Sequence, residues 1–363
     1  MKSSFKIFSA FGIPVELHIS FLLLMLFIYV IAFLGVISAY IAFLITLLFV
    51  TVVVHELSHS YVAKRYGVKV GKIVLLPIGG VSAMEEIPKD PDQELKIAAA
   101  GPLANILIAL VCFIALLIVG GVGSLTIYSF FISNTPSADL SLFLANFLGV
   151  NLVLGLFNLL PAFPMDGGRV LRAFFAKRMN YTEATKHAAS VGKQFGILMA
   201  ILGIFFINPI LILIAIFIYL GADQEYKNTL ISSKLEGINV RDIMTKEVKT
   251  LTPDTSVSEA LNIMFNQRHM GYPVEDHGEL VGIVTFHDIS KIPEDQRNIP
   301  VGNIMTKSLI LASPDEPAMN SLEKITKNDI GRLPVIENGN LVGIISKTDI
   351  MKVLEVLDTK SRE

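Results

Sequence analysis

Apolar residues form long unbroken blocks through the first two-thirds of the chain and short, interrupted runs through the last third. A membrane crossing needs about 20 apolar residues, because the hydrocarbon core is roughly 30 Å thick and a helix rises about 1.5 Å per residue. Blocks of that size occupy residues 17–38, 40–63, 95–122 and 140–160. A last block, 191–222, is longer and is interrupted by Asn208-Pro209. Proline removes a hydrogen bond that a continuous helix needs, so this block reads as two spans joined by a tight hairpin, the first beginning near Lys186. The pattern predicts a multi-span α-helical membrane protein with about six transmembrane helices.

Two further patterns refine the picture. The stretch Lys72 to Val81 is apolar and β-branched, too short to cross as a helix, and broken by Pro77 and Gly79-Gly80. It predicts a short re-entrant β-hairpin whose free edge could hold an unwound substrate as an added strand; a buried connector is the alternative. Beyond residue 222, apolar runs such as 280–285 alternate with helical stretches such as 256–266, which predicts an α/β segment in water.

Charge separates the same two regions. Only 17% of the 363 residues are charged and mean hydropathy is +0.60, against about 25% charge in an average soluble protein. Residues 1–222 carry 14 Lys/Arg and 10 Asp/Glu, a net of +4; residues 223–363 carry 16 and 22, a net of −6. These totals exclude a soluble single-domain enzyme and a basic nucleic-acid binder, so no nucleic-acid partner is expected. The lone cysteine, Cys112, excludes an internal disulfide. All 14 basic residues of the first region lie in the N-terminal stretch, 64–96 and 169–193; the loops around Ser38, 120–139 and Asn208 hold none. The positive-inside rule then predicts a multi-pass protein of the cell membrane with cytoplasmic N- and C-termini.

Chemistry enters in the second block, which contains His55-Glu56-Leu57-Ser58-His59. Histidines four apart project from one helix face and can grip one cation, with Glu56 beside them as general base on a bound water. A carboxylate at the centre of a span costs about 2.5–3.5 kcal/mol on insertion scales, so intramembrane ionisable groups usually have a partner or a function. The bland alternative is two histidines bonded to neighbouring helices. A catalytic zinc uses three protein ligands and one open position. Asp166, between Pro161, Pro164 and Gly167-Gly168, offers the third; its alternative use is as an N-cap for the helix that follows.

The last third repeats itself at an offset of 61. Val240-Arg241-Asp242-Ile243-Met244-Thr245 returns as Val301-Gly302-Asn303-Ile304-Met305-Thr306, and residues 280–289 return as 341–350. Two copies suggest a pseudo-symmetric pair rather than a solenoid.

His55–His59, together with Asn158, Pro161 and Asp166-Gly167-Gly168, resembles the site-2 protease family of intramembrane zinc metalloproteases, and the repeats resemble CBS (cystathionine-β-synthase) domains. The resemblance covers essentially the whole chain. It implies a transmembrane zinc metalloprotease domain over 1–224, a first CBS domain over 233–294 and a second over 295–358, the pair being cytosolic and α/β. It implies one catalytic Zn2+ on His55, His59 and Asp166, with Glu56 as base and Asn158 near the oxyanion or substrate. Asn105, in Gly101-Pro102-Leu103-Ala104-Asn105, is expected to contact the substrate backbone, with an interhelical hydrogen bond as the alternative. CBS pairs often bind adenosine nucleotides, which points to Thr285, Asp288, Ser346 and Asp349 as a regulatory site for ATP, ADP or AMP; ordinary helix caps are the alternative. The expected partners are transmembrane protein substrates, the lipid bilayer, the nucleotide, and a second copy through the CBS domains. The competing function is a CBS-gated divalent-metal or anion transporter, which would need the ligands but not Glu56.

Overall fold

The computed structural model describes residues 4–84, 88–119 and 140–360, so the loop read at 120–139 lies outside the described residues. The chain divides into two compact units, residues 1–229 and 230–363.

The first unit opens with a hairpin of β1 (Ser4–Ala10) and β2 (Ile13–His18). Its turn residues Phe11 and Gly12 have φ of 53° and 76°. Two positive φ values suit the right-handed twist of paired strands, and glycine adopts one without strain. Helix α1 (Ile19–Phe33) follows directly, then α2 (Ala39–Arg65), which Ser38 caps and which ends on Lys64 and Arg65 against the helix dipole. Strands β3 (Val70–Leu76) and β4 (Gly79–Met84) form the predicted hairpin. It belongs to a larger sheet of order β1-β2-β3-β4, with β2 and β3 parallel and β4 at the edge.

Helix α3 (Pro91–Ile118) starts on an Asp90 cap with Pro91 at its first position, where the missing N–H has no intrahelical partner to lose. It packs against α2, α4 (Leu140–Asn158) and α5 (Asp166–Ala176). Small and polar residues, Ala98, Gly101, Asn105 and Ala109, face inward, while Leu103, Leu107, Leu110 and Ile114 are exposed. A soluble helix would do the reverse. In lipid, where tails are as apolar as leucine, helices associate through small residues and hydrogen bonds.

Helices α6 (Tyr181–Phe205) and α7 (Pro209–Lys234) complete the unit. Asn208 Oδ1 accepts the N–H groups of Ile210 and Leu211, so the predicted break is a capped hairpin. Among the described residues five helices, α2, α3, α4, α6 and α7, are long and apolar enough to cross a membrane. The remaining predicted block is α1, whose 15 residues rise only about 22 Å. Its apolar run is shortened at one end, where Leu17 and His18 belong to β2, and at the other by the turn at Gly35, φ 76°. Helix α7 also runs past residue 222 to Lys234, so the stretch between the expected domains, 225–232, is helical.

In the second unit, α8 (Val240–Ile243), α9 (Val257–Gln267), β5 (Gly271–Asp276), β6 (Glu279–Thr285) and α10 (Phe286–Ser290) make the first repeat. The second has α11 (Ala318–Lys327), β7 (Arg332–Glu337), β8 (Asn340–Ser346) and α12 (Lys347–Lys360). Each copy holds a two-stranded antiparallel sheet turned by a positive-φ pair, His277-Gly278 and Asn338-Gly339. The copies exchange their leading segments. Thr245 bridges to Ile344 and Thr306 to Ile283. Leu235 and Val240 accordingly lie in the core of the second copy, while Val301 lies in the core of the first.

Candidate functional site

The α2 spacing does what four residues on a helix must: His55 and His59 stack one turn apart, 5% and 6% exposed, with their Nε2 atoms 3.1 Å apart. The outer nitrogens are taken. His55 Nδ1 lies 2.6 Å from Asn105 Oδ1, and His59 Nδ1 lies 2.7 Å from the Ile97 carbonyl. Both partners are acceptors, so each ring carries its proton on Nδ1 and turns the Nε2 lone pair inward.

Asp166 comes from a different element. The loop from Leu159 to Met165 leads into α5, and Gly167 and Gly168 let that helix start flush against it. A Cβ on Gly167 would sit 2.2 Å from the Leu160 carbonyl oxygen, and one on Gly168 2.5 Å from the Phe163 nitrogen. Asp166 is the first residue of α5 and does not cap it; the N-cap position is Met165. The Asp166 carboxylate instead points away, with Oδ2 3.1 Å from both histidine Nε2 atoms. Among the described residues these three form the group able to hold a metal. Ligand atoms around a tetrahedral zinc with bonds of about 2.0–2.1 Å stand about 3.3 Å apart, so a triangle with 3.1 Å edges fits that ion.

A cavity of about 300 Å³ opens on the triangle and is lined by Glu56, Asn158, Arg169 and the β4 residues Gly80, Val81 and Ser82. Glu56 is seated by β4: a Cβ on Gly80 would come within 2.6 Å of Glu56 Cγ. Asn158, the last residue of α4, reaches the cavity, but its Nδ2 donates to the Leu154 carbonyl of its own helix at 2.9 Å.

Asn105 makes the interhelical hydrogen bond that was the alternative to a substrate contact. It is fully buried behind His55, with Oδ1 on the histidine and Nδ2 donating to Asn151 Oδ1 at 3.1 Å. Both polar ends are used inside the protein, so the residue orients the His55 ring. Asn105→Ala is expected to weaken zinc affinity about 10–100-fold, the usual cost of an outer-sphere partner. Chelator competition measures it, and wild-type affinity would contradict the orienting role.

Gly101, read only as part of the motif around Asn105, has a packing role of its own. A Cβ there would lie 2.3 Å from His59 Nε2 and 2.7 Å from His55 Nε2. A glycine beside proline inside an apolar helix was the available signal, since such a glycine usually marks close approach.

In the second unit, Thr285 and Asp288 close on each other: the Thr285 hydroxyl and backbone N–H donate to Asp288 Oδ2 at 2.6 and 2.9 Å, and Asp288 N–H donates back at 3.3 Å. Ser346 and Asp349 repeat the arrangement at 2.6, 3.0 and 3.2 Å. Both pairs are therefore reciprocal helix caps. Beside these pairs the copies differ: Gly271 in the first corresponds to Arg332 in the second, whose Nη1 donates to the Gly271 carbonyl at 2.7 Å. Burial holds the Arg332 guanidinium below its usual value, opposed by the nearby Asp349 carboxylate.

Residues 42–203 match the family described as Peptidase family M50, and residues 240–295 and 301–356 each match the CBS domain. The chain is 42% identical over 362 residues to Zinc metalloprotease MJ0392 of Methanocaldococcus jannaschii, covering 99% of this chain and 98% of that protein. It is also similar to the solved Site-2 Protease from Methanocaldococcus jannaschii, at 46% identity over 61% of this chain and 95% of that one, with a TM-score of 0.44. The chain belongs to peptidase family M50, the site-2 proteases, with a CBS-domain pair after the membrane unit. It is a membrane zinc metalloprotease, and the transporter alternative is set aside.

Proposed function

We propose that the protein is an intramembrane endopeptidase that cuts transmembrane segments of other membrane proteins. The observation that carries the reading is the His55, His59 and Asp166 triangle with Glu56 beside it, the two histidines and Glu56 lying on a helix apolar enough to span. These three would hold zinc, which supplies a Lewis acid for the scissile carbonyl and for water. Glu56 takes the proton of the attacking water and delivers it to the leaving amine. Asn158 stands near enough to the cavity to donate to the developing oxyanion once its amide turns from Leu154. A helical substrate hides its carbonyls in hydrogen bonds and must unwind first. The edge strand β4, which lines the cavity, suits an unwound segment as an added strand.

The basic loops support cytoplasmic termini, and we assign the membrane protease to 1–224 and the CBS domains to 233–294 and 295–358. The CBS pair, by this proposal, binds ATP, ADP or AMP, with Thr285 and Ser346 meeting phosphate and Asp288 and Asp349 meeting ribose. Arg332, a cation beside the second pair, favours an anionic ligand. Binding requires the reciprocal caps to open, and regulation requires different affinities in two protein states. A second copy through the CBS pair remains part of the proposal. Titration calorimetry of the full-length protein should give saturable heat with at least one adenosine nucleotide; no heat at millimolar concentration would reduce the pair to a scaffold.

Cleavage itself is tested with a single-span substrate in proteoliposomes. Zinc-dependent product from wild type, lost in His55→Ala, supports the assignment, and undiminished product from that variant overturns it.

A further inference from the structure

A charged cluster buried behind the metal triangle takes no part in the reaction above. Arg172 on α5 is 3% exposed and Glu94 on α3 is fully buried. Arg172 Nε donates to Glu94 Oε1 at 2.8 Å, its Nη2 lies 2.5 Å from the same oxygen, and Nη1 donates to Glu225 Oε1 on α7 at 2.8 Å. The guanidinium also lies against two rings, with Cζ 5.1 Å from the centre of Phe163 and 4.8 Å from that of Tyr181. Phe163 belongs to the loop that delivers Asp166. Helices α3, α5 and α7, the start of α6 and that loop thus meet on one side chain.

Stability alone is a poor reason for such a cluster. Charges taken out of water gain little over well-packed apolar residues of the same volume, and the best-attested use of a buried ion cluster is to fix register. Glu94 Oε2 is also buried with no hydrogen-bond partner, a cost that an ion pair serving only stability has no cause to carry.

Register has a consequence at this place. Arg172 lies less than two turns after Asp166 on an eleven-residue helix whose N-cap, Met165, makes no side-chain bond. Glu94 lies one turn before Ile97, whose carbonyl holds His59 Nδ1, and two turns before Gly101, which packs on both histidines. One ion cluster therefore ties the helix that carries Asp166 to the helix turn that orients His59.

We propose that Arg172 is a positioning residue for the metal: clamped between Glu94 and Glu225, it sets α5 on α3 so that Asp166 Oδ2 stands within reach of both histidines. The inference rests on His55, His59 and Asp166 being the zinc ligands. A slip or rotation of α5 would leave the histidines in place and move the carboxylate, opening the triangle on one side.

The test uses full-length protein carrying Arg172→Met or Arg172→Lys, beside wild type and Asp166→Ala. Zinc affinity is read by chelator competition and ligand geometry by the visible absorption bands of the cobalt(II)-loaded form. Arg172→Met should lose about 10–100-fold in affinity, as outer-sphere changes do, and show altered cobalt bands. Arg172→Lys keeps the charge without the planar fork and should fall between. A merely structural role would lower the melting temperature and leave the bands of the folded protein alone. Wild-type affinity and bands in folded Arg172→Met overturn the proposal, and if that variant does not fold, the same result in Arg172→Lys overturns it. No zinc in wild type, or full affinity in Asp166→Ala, would overturn the ligand assignment instead.

Discussion

Replacing Glu56 with glutamine is expected to lower peptide hydrolysis by about 10²–10⁴-fold while zinc stays bound, the range typical for loss of a general base. Glutamine has the same shape and sits in the same seat under Gly80, so the cavity keeps its form. The three metal-facing groups are untouched, because Glu56 is not among them. What disappears is the ability to accept a proton from water and return it to the leaving amine. Turnover and zinc per chain, measured on one preparation, separate the two effects. Wild-type turnover would remove Glu56 from the mechanism, and lost zinc would make it a ligand.

Gly101→Ala should lose zinc by more than about 100-fold, beyond the usual range for an outer-sphere change. The added methyl would sit 2.3 Å from His59 Nε2 and 2.7 Å from His55 Nε2, the two atoms that must face the ion. Neither side can yield cheaply. The rings are held from behind by Ile97 and Asn105, which belong to the same helix as Gly101, so moving α3 away drags their anchors with it. Gly331→Ala, where nothing lies within 4 Å of the new methyl, serves as the control. Chelator competition on both variants decides the matter, and near-wild-type affinity in Gly101→Ala would mean the site is looser than its geometry indicates.

What was legible in the sequence was what lies close along the chain. His55, Glu56 and His59 share one helical turn, so their relation follows from helix geometry alone. Asp166 stood out because prolines and glycines flank it at membrane depth, where broken backbone needs a cavity or protein around it. The hairpin at Asn208 likewise carries its own turn residues. Asn105 stayed open between a substrate contact and an interhelical hydrogen bond because its partner, His55, is 50 residues away and no local pattern reports that bond. Gly80, Gly101 and Arg172 matter through atoms that only the packed helices bring near. The exchange of leading segments between the repeats was hidden for the same reason: equal motifs at an offset of 61 fit either pairing. The short α1 was lost in its own apolar run, since strand and helix residues there are equally hydrophobic.

The most direct measurement is the position of the cut. A single-span substrate reconstituted with the full-length protein, its products sized by mass spectrometry, should show a break inside the apolar segment. That product should vanish with a zinc chelator and return when zinc is restored. A break confined to the polar flanks, or one indifferent to the chelator, would contradict an intramembrane zinc endopeptidase.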